Sequence, residues 1–364
     1  MTRPLRARPW SFAGLILTYW CNARCDCCYL ACGGGVQASE MSIDDAVAFW
    51  AGLAQASPRG CRLHLTGGEP FGHWPRLAGV AKAAFEAGLS SPGGPGPLDK
   101  VETNAFWATD AAVVRDRLRE LDRWGMRKLA ISADPYHQQF VPIERCRLAA
   151  GIAQEVLGAD RVQVRWRDWL KDGFDTGSLG DQQRRELFAN YAMSGRERMN
   201  GRAAGLVAPL AGGLVAGGGQ SRSRLRCKAV GEFADSSCGE TLLGGRHVHV
   251  DGAGRVIPGV CAGITLGWLQ SSAADGGRAG WPGRMSAGAL WHCVAHDWSS
   301  RRVLARLVES GPCGLLAEAA GHGFVPRAAY VSKCQLCFEI RRHLALSGLH
   351  AEELGPRWLY DEVR

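Results

Sequence analysis

Short apolar runs alternate with amphipathic stretches from Phe12 to about residue 205, the pattern of repeated β–α units around a parallel sheet. The runs predict strands at 12–18, 61–66, 98–103, 127–132, 161–166 and 198–204. Between them, Ile43, Ala46, Val47, Trp50, Leu53 and Ala54 fall on one helical face, and Ser42 with Asp45 forms a capping-box pattern at its start. The same periodicity predicts helices near 74–87, 109–124, 142–156 and 181–192. Six such units make a partial, open (β/α)6 barrel of the TIM type.

The periodicity stops at AGGLVAGGGQSRS, residues 211–223, where glycine and serine read as a connection. Beyond it, HVHVDGAGRVIPGVC predicts strands at 246–250 and 255–258 joined by a glycine turn, with helices near 300–310 and 334–346. A chain of 364 residues exceeds the ~250–300 at which single cores stop growing, so two domains are expected. They are a barrel over 1–210, a linker over 211–225, a smaller α+β cysteine-rich domain over 226–345 and a C-terminal tail over 346–364.

Composition narrows the compartment and partners. No run of ~18 uncharged apolar residues occurs, so no membrane span is expected. Arg3, Arg6 and Arg8 before the apolar stretch Trp10 to Trp20 imitate a secretory signal, but no small-residue cleavage site follows and Trp20 directly precedes Cys21. Fourteen cysteines, grouped at 21–32 and paired at 334 and 337, fit a metal or redox site in the reducing cytoplasm better than a disulfide framework. The net charge of +8 is carried by arginines spread along the chain, a solvated basic surface or an attraction to an acidic partner. No basic block or RNA-binding module marks a nucleic-acid partner.

The chemistry concentrates after the first strand, in Cys21-Asn-Ala-Arg-Cys25-Asp-Cys27-Cys28-Tyr29. Thiolates at spacings of four and three on one short loop can bind three irons of an iron–sulfur cube and leave the fourth open. An open coordination position separates a catalytic centre from a closed one. Cys27 and Cys32 are alternative ligands, and Cys32 could close the cluster as a fourth.

This C-x3-C-x2-C loop resembles the signature of the radical S-adenosylmethionine (radical SAM) enzymes. The resemblance implies a [4Fe–4S] cluster on Cys21, Cys25 and Cys28 whose open iron binds S-adenosylmethionine, reductive cleavage to a 5′-deoxyadenosyl radical, and abstraction of a substrate hydrogen atom. After the second strand, Thr66-Gly67-Gly68-Glu69-Pro70 resembles the family's GGE motif, which implies that Gly67, Gly68 and Glu69 hold the cofactor's amino group. Polar residues at the carboxyl ends of barrel strands face the active mouth. By similarity to the family, Asn104 and Ser132 there are candidate cofactor contacts. Asp134, Tyr136 and His137 are candidates for substrate binding or proton transfer, His137 as a catalytic group tuned near neutral pH. Arg165 and Arg167 share one strand face, and one of them, or Arg202 near the sixth strand, is a candidate for the cofactor carboxylate.

The second domain carries more cysteines than packing requires. Cys334 and Cys337 form a CxxC pair, and Cys238 and Cys261 flank the two-stranded segment, so four thiolates could converge on one metal site, with Cys227 and Cys313 as alternates. The arrangement resembles the auxiliary-cluster domains known as SPASM or twitch and implies a second [4Fe–4S] cluster, with zinc as the other occupant. Cys61, Cys146 and Cys293 read as small buried hydrophobes.

The resemblance implies maturation of a ribosomally made peptide or natural-product biosynthesis. A small-molecule rearrangement like that of molybdenum-cofactor biosynthesis is the alternative. An electron donor of flavodoxin or ferredoxin type would be a partner, and a peptide substrate would need a separate leader-binding protein, because only a few residues precede the first strand. From another class, a non-catalytic iron–sulfur carrier or a zinc-stabilised binding protein has no use for an amine-binding carboxylate beside its cluster.

Overall fold

The computed structural model describes residues 6–36, 38, 40–165, 168, 170, 175–192, 199–206, 227–270 and 284–362. Five strands follow the predicted alternation: β1 (Phe12–Ile16), β2 (Arg62–Thr66), β3 (Leu98–Thr103), β4 (Leu129–Ser132) and β5 (Val162–Arg165). They pair in parallel, in the spatial order β5-β4-β3-β2-β1. Helices over Ile43–Ala56, Trp74–Glu86, Ala111–Arg123 and Ile143–Leu157 connect them.

Local chemistry sets these boundaries. Ser42 accepts a hydrogen bond from Asp45 N at the start of the first helix, and Asp110 accepts from Ala112 and Val113 N at the start of the third. Trp50, fully buried, anchors the first helix to the loop before β3 by donating Nε1–H to Gly96 O at 2.8 Å.

The sixth unit differs from expectation. The described part of 198–204 is no strand, because Arg202–Leu206 forms a short helix. The strand beside β1 is instead β6 (His247–Val250), which lies parallel to it. β7 (Arg255–Pro258) returns antiparallel through a turn in which Asp251 Oδ1 accepts from Ala253 and Arg255 N, and Gly254 takes φ +79°. β8 (Gly267–Leu269) and β9 (Arg284–Met285) complete one nine-stranded sheet.

The predicted hairpin therefore extends the barrel sheet instead of starting a separate one. Leu15, Leu65 and Ile131 share one apolar cluster with Val248, Leu304 and Phe338, so the two expected domains share one core. The expected linker 211–225 lies outside the described residues. The expected tail is also integral. Glu353 accepts from Val303 and Leu304 N at the start of helix Arg302–Ser310, and Tyr360, in helix Arg357–Asp361, is fully buried. Helices Ala287–His296 and Cys313–Gly321, which the pattern did not predict, complete this half. No described helix is long and apolar enough to cross a membrane.

Candidate metal and cofactor site

The loop after β1 turns back across the carboxyl ends of the parallel strands. It is held there by Gly68 N donating to Thr18 O at 2.8 Å and Glu69 N to Trp20 O at 2.9 Å. Gly68 is required for that approach, since a Cβ on it would stand 2.0 Å from Trp20 O. Gly68→Ala is expected to cost roughly 3 kcal/mol or more, by overpacking and by loosening both bonds. Thermal unfolding of the apoprotein and iron content after reconstitution check this, and an unchanged melting temperature would contradict it.

Cys21, Cys25 and Cys28 line one cavity with Gly67, Gly68, Glu102, Asn104, Ser132, His137, Arg165 and Arg202. The three cysteines and seven of the predicted contacts thus meet in one place. The Cys21 thiol is pushed up by burial and then by Glu69, Cys25 and Cys28; burial raises Cys25 as well, against the opposing pull of His137. Thiols crowded this closely do not ionise together unless a cation joins them, which suits a metal. Cys28 is the exception: a hydrogen bond from Cys32 lowers it while Cys32 is raised. Cys27 also lines the cavity, close to Asp134 and His137.

Asn104 is fixed at the rim by donating Nδ2–H to Asn22 Oδ1 at 2.9 Å, with Cys21 Sγ 3.7 Å away. His137 pairs through Nδ1 with the buried Asp134 at 2.7 Å and hydrogen-bonds Cys25. Burial opposes its charge, but Asp134 and Cys25 more than offset this and raise its pKa well above the ordinary value. Arg165, half exposed at the end of β5, has Nε 4.0 Å from Asp134 Oδ2. Its predicted strand partner Arg167 lies outside the described residues.

Two predicted contacts spend their polar groups on the protein itself, Glu69 outside the cavity lining and Arg202 within it. Glu69 is wholly buried, and Oε1 accepts from Phe71 N and Thr103 Oγ1 while Oε2 accepts from Asn104 N at 2.6 Å. Its carboxylate braces the ends of β2 and β3, while the two glycines face the cavity. Arg202 is also committed to backbone: Nε donates to Cys25 O at 2.9 Å, Nη2 to Cys32 O at 2.7 Å, and its own N–H to Cys28 O at 3.1 Å. Only its buried Nη1 lacks a hydrogen-bond partner.

Burial pushes Glu69 up to about 7 against those three hydrogen bonds. A folded-state pKa above the unfolded value of ~4.3 means that the native state binds the extra proton. Its stabilisation is complete below ~4.3 and lost as pH rises through about 7, at ~1.4 kcal/mol for each pH unit crossed between the two. Urea midpoints of the apoprotein should therefore fall more steeply over this window in the wild type than in Glu69→Gln. Equal slopes would assign the dependence to other groups.

In the second half, burial raises Cys238 and Cys261, and both also feel like-charge repulsion from Cys334 and Cys337. The four predicted thiols are thus electrostatic neighbours, whereas Cys227 and Cys313 respond to burial alone. Sequence reasoning missed Arg341 among them. It is buried, and it donates Nε–H to Cys337 Sγ at 3.4 Å, Nη1–H to Ala262 O and Tyr360 OH, and Nη2–H to Asn200 Oδ1. None of the partners in these bonds is a carboxylate. A buried guanidinium facing thiols is matched to an anionic thiolate–metal group. Asn200 stands two residues before Arg202, so one short segment bridges the two cysteine groups. The signal for Arg341 was its i, i+4 spacing from Cys337 on helix Lys333–Leu346.

No protein-family model matches the chain, and no curated protein matches it in sequence. Among solved structures, it is similar to BtrN in complex with AdoMet and 2-DOIA (TM-score 0.44, 14% identity, over 84% of this chain and 90% of that one). It is also similar to a tagged form of anSMEcpe with bound AdoMet (0.37, 12%, 92% and 93%). A third is Streptococcus suis SuiB bound to S-adenosylmethionine (0.29, 10%, 68% and 60%). At TM-scores below 0.5 these are loose likenesses of overall shape.

Proposed function

We propose that this chain is a radical SAM enzyme, and the observation that carries the reading is the convergence of Cys21, Cys25 and Cys28 with Gly67, Gly68 and Asn104 on one cavity. The residues fit the implied groups: three crowded thiols call for a multivalent cation, and Arg202 keeps a buried donor unused beside them. Cys21, Cys25 and Cys28 would hold a [4Fe–4S] cluster, and Gly67, Gly68, Asn104, Ser132 and Arg165 would surround S-adenosylmethionine. When bound, the cluster supplies the electron that cleaves the cofactor's sulfonium bond.

The chain's own groups shape that chemistry. The backbone N–H of Glu69, donated to Trp20 O, and the Arg202 side chain, donated to Cys25 O and Cys32 O, fix the loop backbone at its start and along its length, so the three thiols are presented together. The Asp134–His137 pair sets a positive charge beside Cys25, which favours the thiolate there. Asn104 holds the loop's Asn22 side chain at the rim. Cys238, Cys261, Cys334 and Cys337 would hold a second [4Fe–4S] cluster, its charge balanced by Arg341. The substrate class we assign is a peptide under maturation or a small biosynthetic intermediate, served by an electron donor of the flavodoxin or ferredoxin type in the cytoplasm.

The test is anaerobic reconstitution followed by reduction with dithionite and an assay for 5′-deoxyadenosine. Formation of the nucleoside supports the reading. Its absence with about three irons or more bound per chain would favour the non-catalytic carrier.

A further inference from the structure

Three histidines meet on one face of the sheet, behind the wall that Glu102 and Tyr29 give the cysteine cavity. His64 comes from β2, and His247 and His249 come from β6. Between them runs β1, whose Gly14 is in register with both His64 and His249.

Gly14 creates the space. A Cβ there would stand 2.4 Å from His64 Nε2 and 2.4 Å from His249 Cδ2, so any side chain would occupy the ground where the rings meet. Glycine inside a central strand weakens it and often marks the close approach of another group. Here the groups that approach are imidazoles.

The geometry is that of a ligand set. One ring nitrogen from each histidine lies within 4.8 Å of the other two, and His64 Nε2 stands 3.0 Å from His247 Nε2. Two nitrogens bound to a tetrahedral ion at ~2.0–2.1 Å are separated by roughly 3.3 Å. The rings are also oriented from outside. His64 Nδ1 lies 3.5 Å from Glu102 Oε1, a carboxylate fixed by Thr66 Oγ1 at 2.6 Å and Lys100 Nζ at 2.5 Å. A carboxylate behind the non-ligating nitrogen is the usual support of a metal-bound imidazole. His249 Nε2 meets Tyr29 OH at 3.2 Å, and its buried Nδ1 has no hydrogen-bond partner.

We propose that His64, His247 and His249 form a mononuclear site for a divalent transition-metal ion of the zinc class, distinct from both cysteine groups, that ties β2 to β6 across β1. Three imidazoles suit zinc, iron(II) or copper, and zinc is the redox-inert probe among them. The site would clamp the strand that opens the second half onto the barrel.

The test uses the full chain with its iron–sulfur clusters loaded. Protein treated with a mild chelator, then with Zn2+ and desalted, is expected to retain one more zinc per chain than His247→Gln, at equal iron content. Zinc should raise the melting temperature of the wild type and not that of the variant, whose affinity should fall by more than the roughly 10–100-fold that loss of an outer partner costs. His247 is half buried, so His247→Gln is the variant with the best prospect of folding. His249→Gln should behave alike, and Cys21→Ala/Cys25→Ala/Cys28→Ala should keep the zinc. Wild-type protein that retains no zinc overturns the proposal without any variant. Equal retention by His247→Gln, or loss of the zinc in the triple-cysteine variant, overturns it as well.

Discussion

Cys25→Ala is expected to lose the cluster's visible absorbance and to bring 5′-deoxyadenosine formation down to background, while Cys27→Ala keeps both. Cys25 is buried at the centre of the loop, feels the charge of Cys28, acts on that of Cys21, and is hydrogen-bonded by His137. Removing it deletes one of three thiolates and leaves the charged His137 facing no anion on that side. Burial raises Cys21 and Cys25 first, and the charge of Cys28 adds to both, which groups Cys28 with them. Cys32 is the closer competitor, because it hydrogen-bonds Cys28. Cys32→Ala should still assemble a cluster and cleave the cofactor, since Cys21, Cys25 and Cys28 remain. Iron and sulfide analysis with the nucleoside assay decides the matter. Full activity in Cys25→Ala, or loss in Cys27→Ala, would move the ligand assignment to Cys27.

The first half of the fold was legible because its determinants are local. A period of 3.6, an N-cap serine or aspartate and a short apolar run each leave a mark within a few residues, and the five parallel strands and their helices match those marks closely. The place of β6 was not legible: HVHV carries the alternation of a hairpin strand, and nothing within it states that its other edge pairs with β1. A parallel partner more than two hundred residues away is a property of the whole chain.

The site shows the same division. The cysteine spacings and the two glycines could be read because metal ligation and close backbone approach each demand particular residues. The roles of Glu69 and Arg202 could not, since a carboxylate or guanidinium in a loop looks the same whether it faces a ligand or satisfies buried backbone. Arg341 was hidden for a related reason. Beside Arg342 it resembles one of a surface pair, and only the direction of the helix face puts it in the interior.

That difference leads to the second large effect. Arg202→Met should destabilise the apoprotein by roughly 2–4 kcal/mol, because two side-chain bonds disappear: Cys25 O keeps the N–H of Cys28 and loses about 1 kcal/mol, while Cys32 O loses its side-chain donor at ~1–3 kcal/mol. Against a typical stability of ~5–15 kcal/mol this is a large fraction, and it falls on the loop that presents the thiols. Iron retention should therefore fall together with the melting temperature. Arg202→Lys should recover part of both, since an ammonium can reach one of the two carbonyls but lacks the guanidinium's fork. Arg165→Met provides the contrast. Its guanidinium is half exposed and 4.0 Å from Asp134 Oδ2, so its loss should cost less stability than that of Arg202 and leave iron content unchanged, while raising the KM for S-adenosylmethionine. If Arg202→Met instead kept its melting temperature and iron and lost only cofactor affinity, the arginine would be a ligand-binding group and the bracing role argued from its three backbone contacts would be wrong.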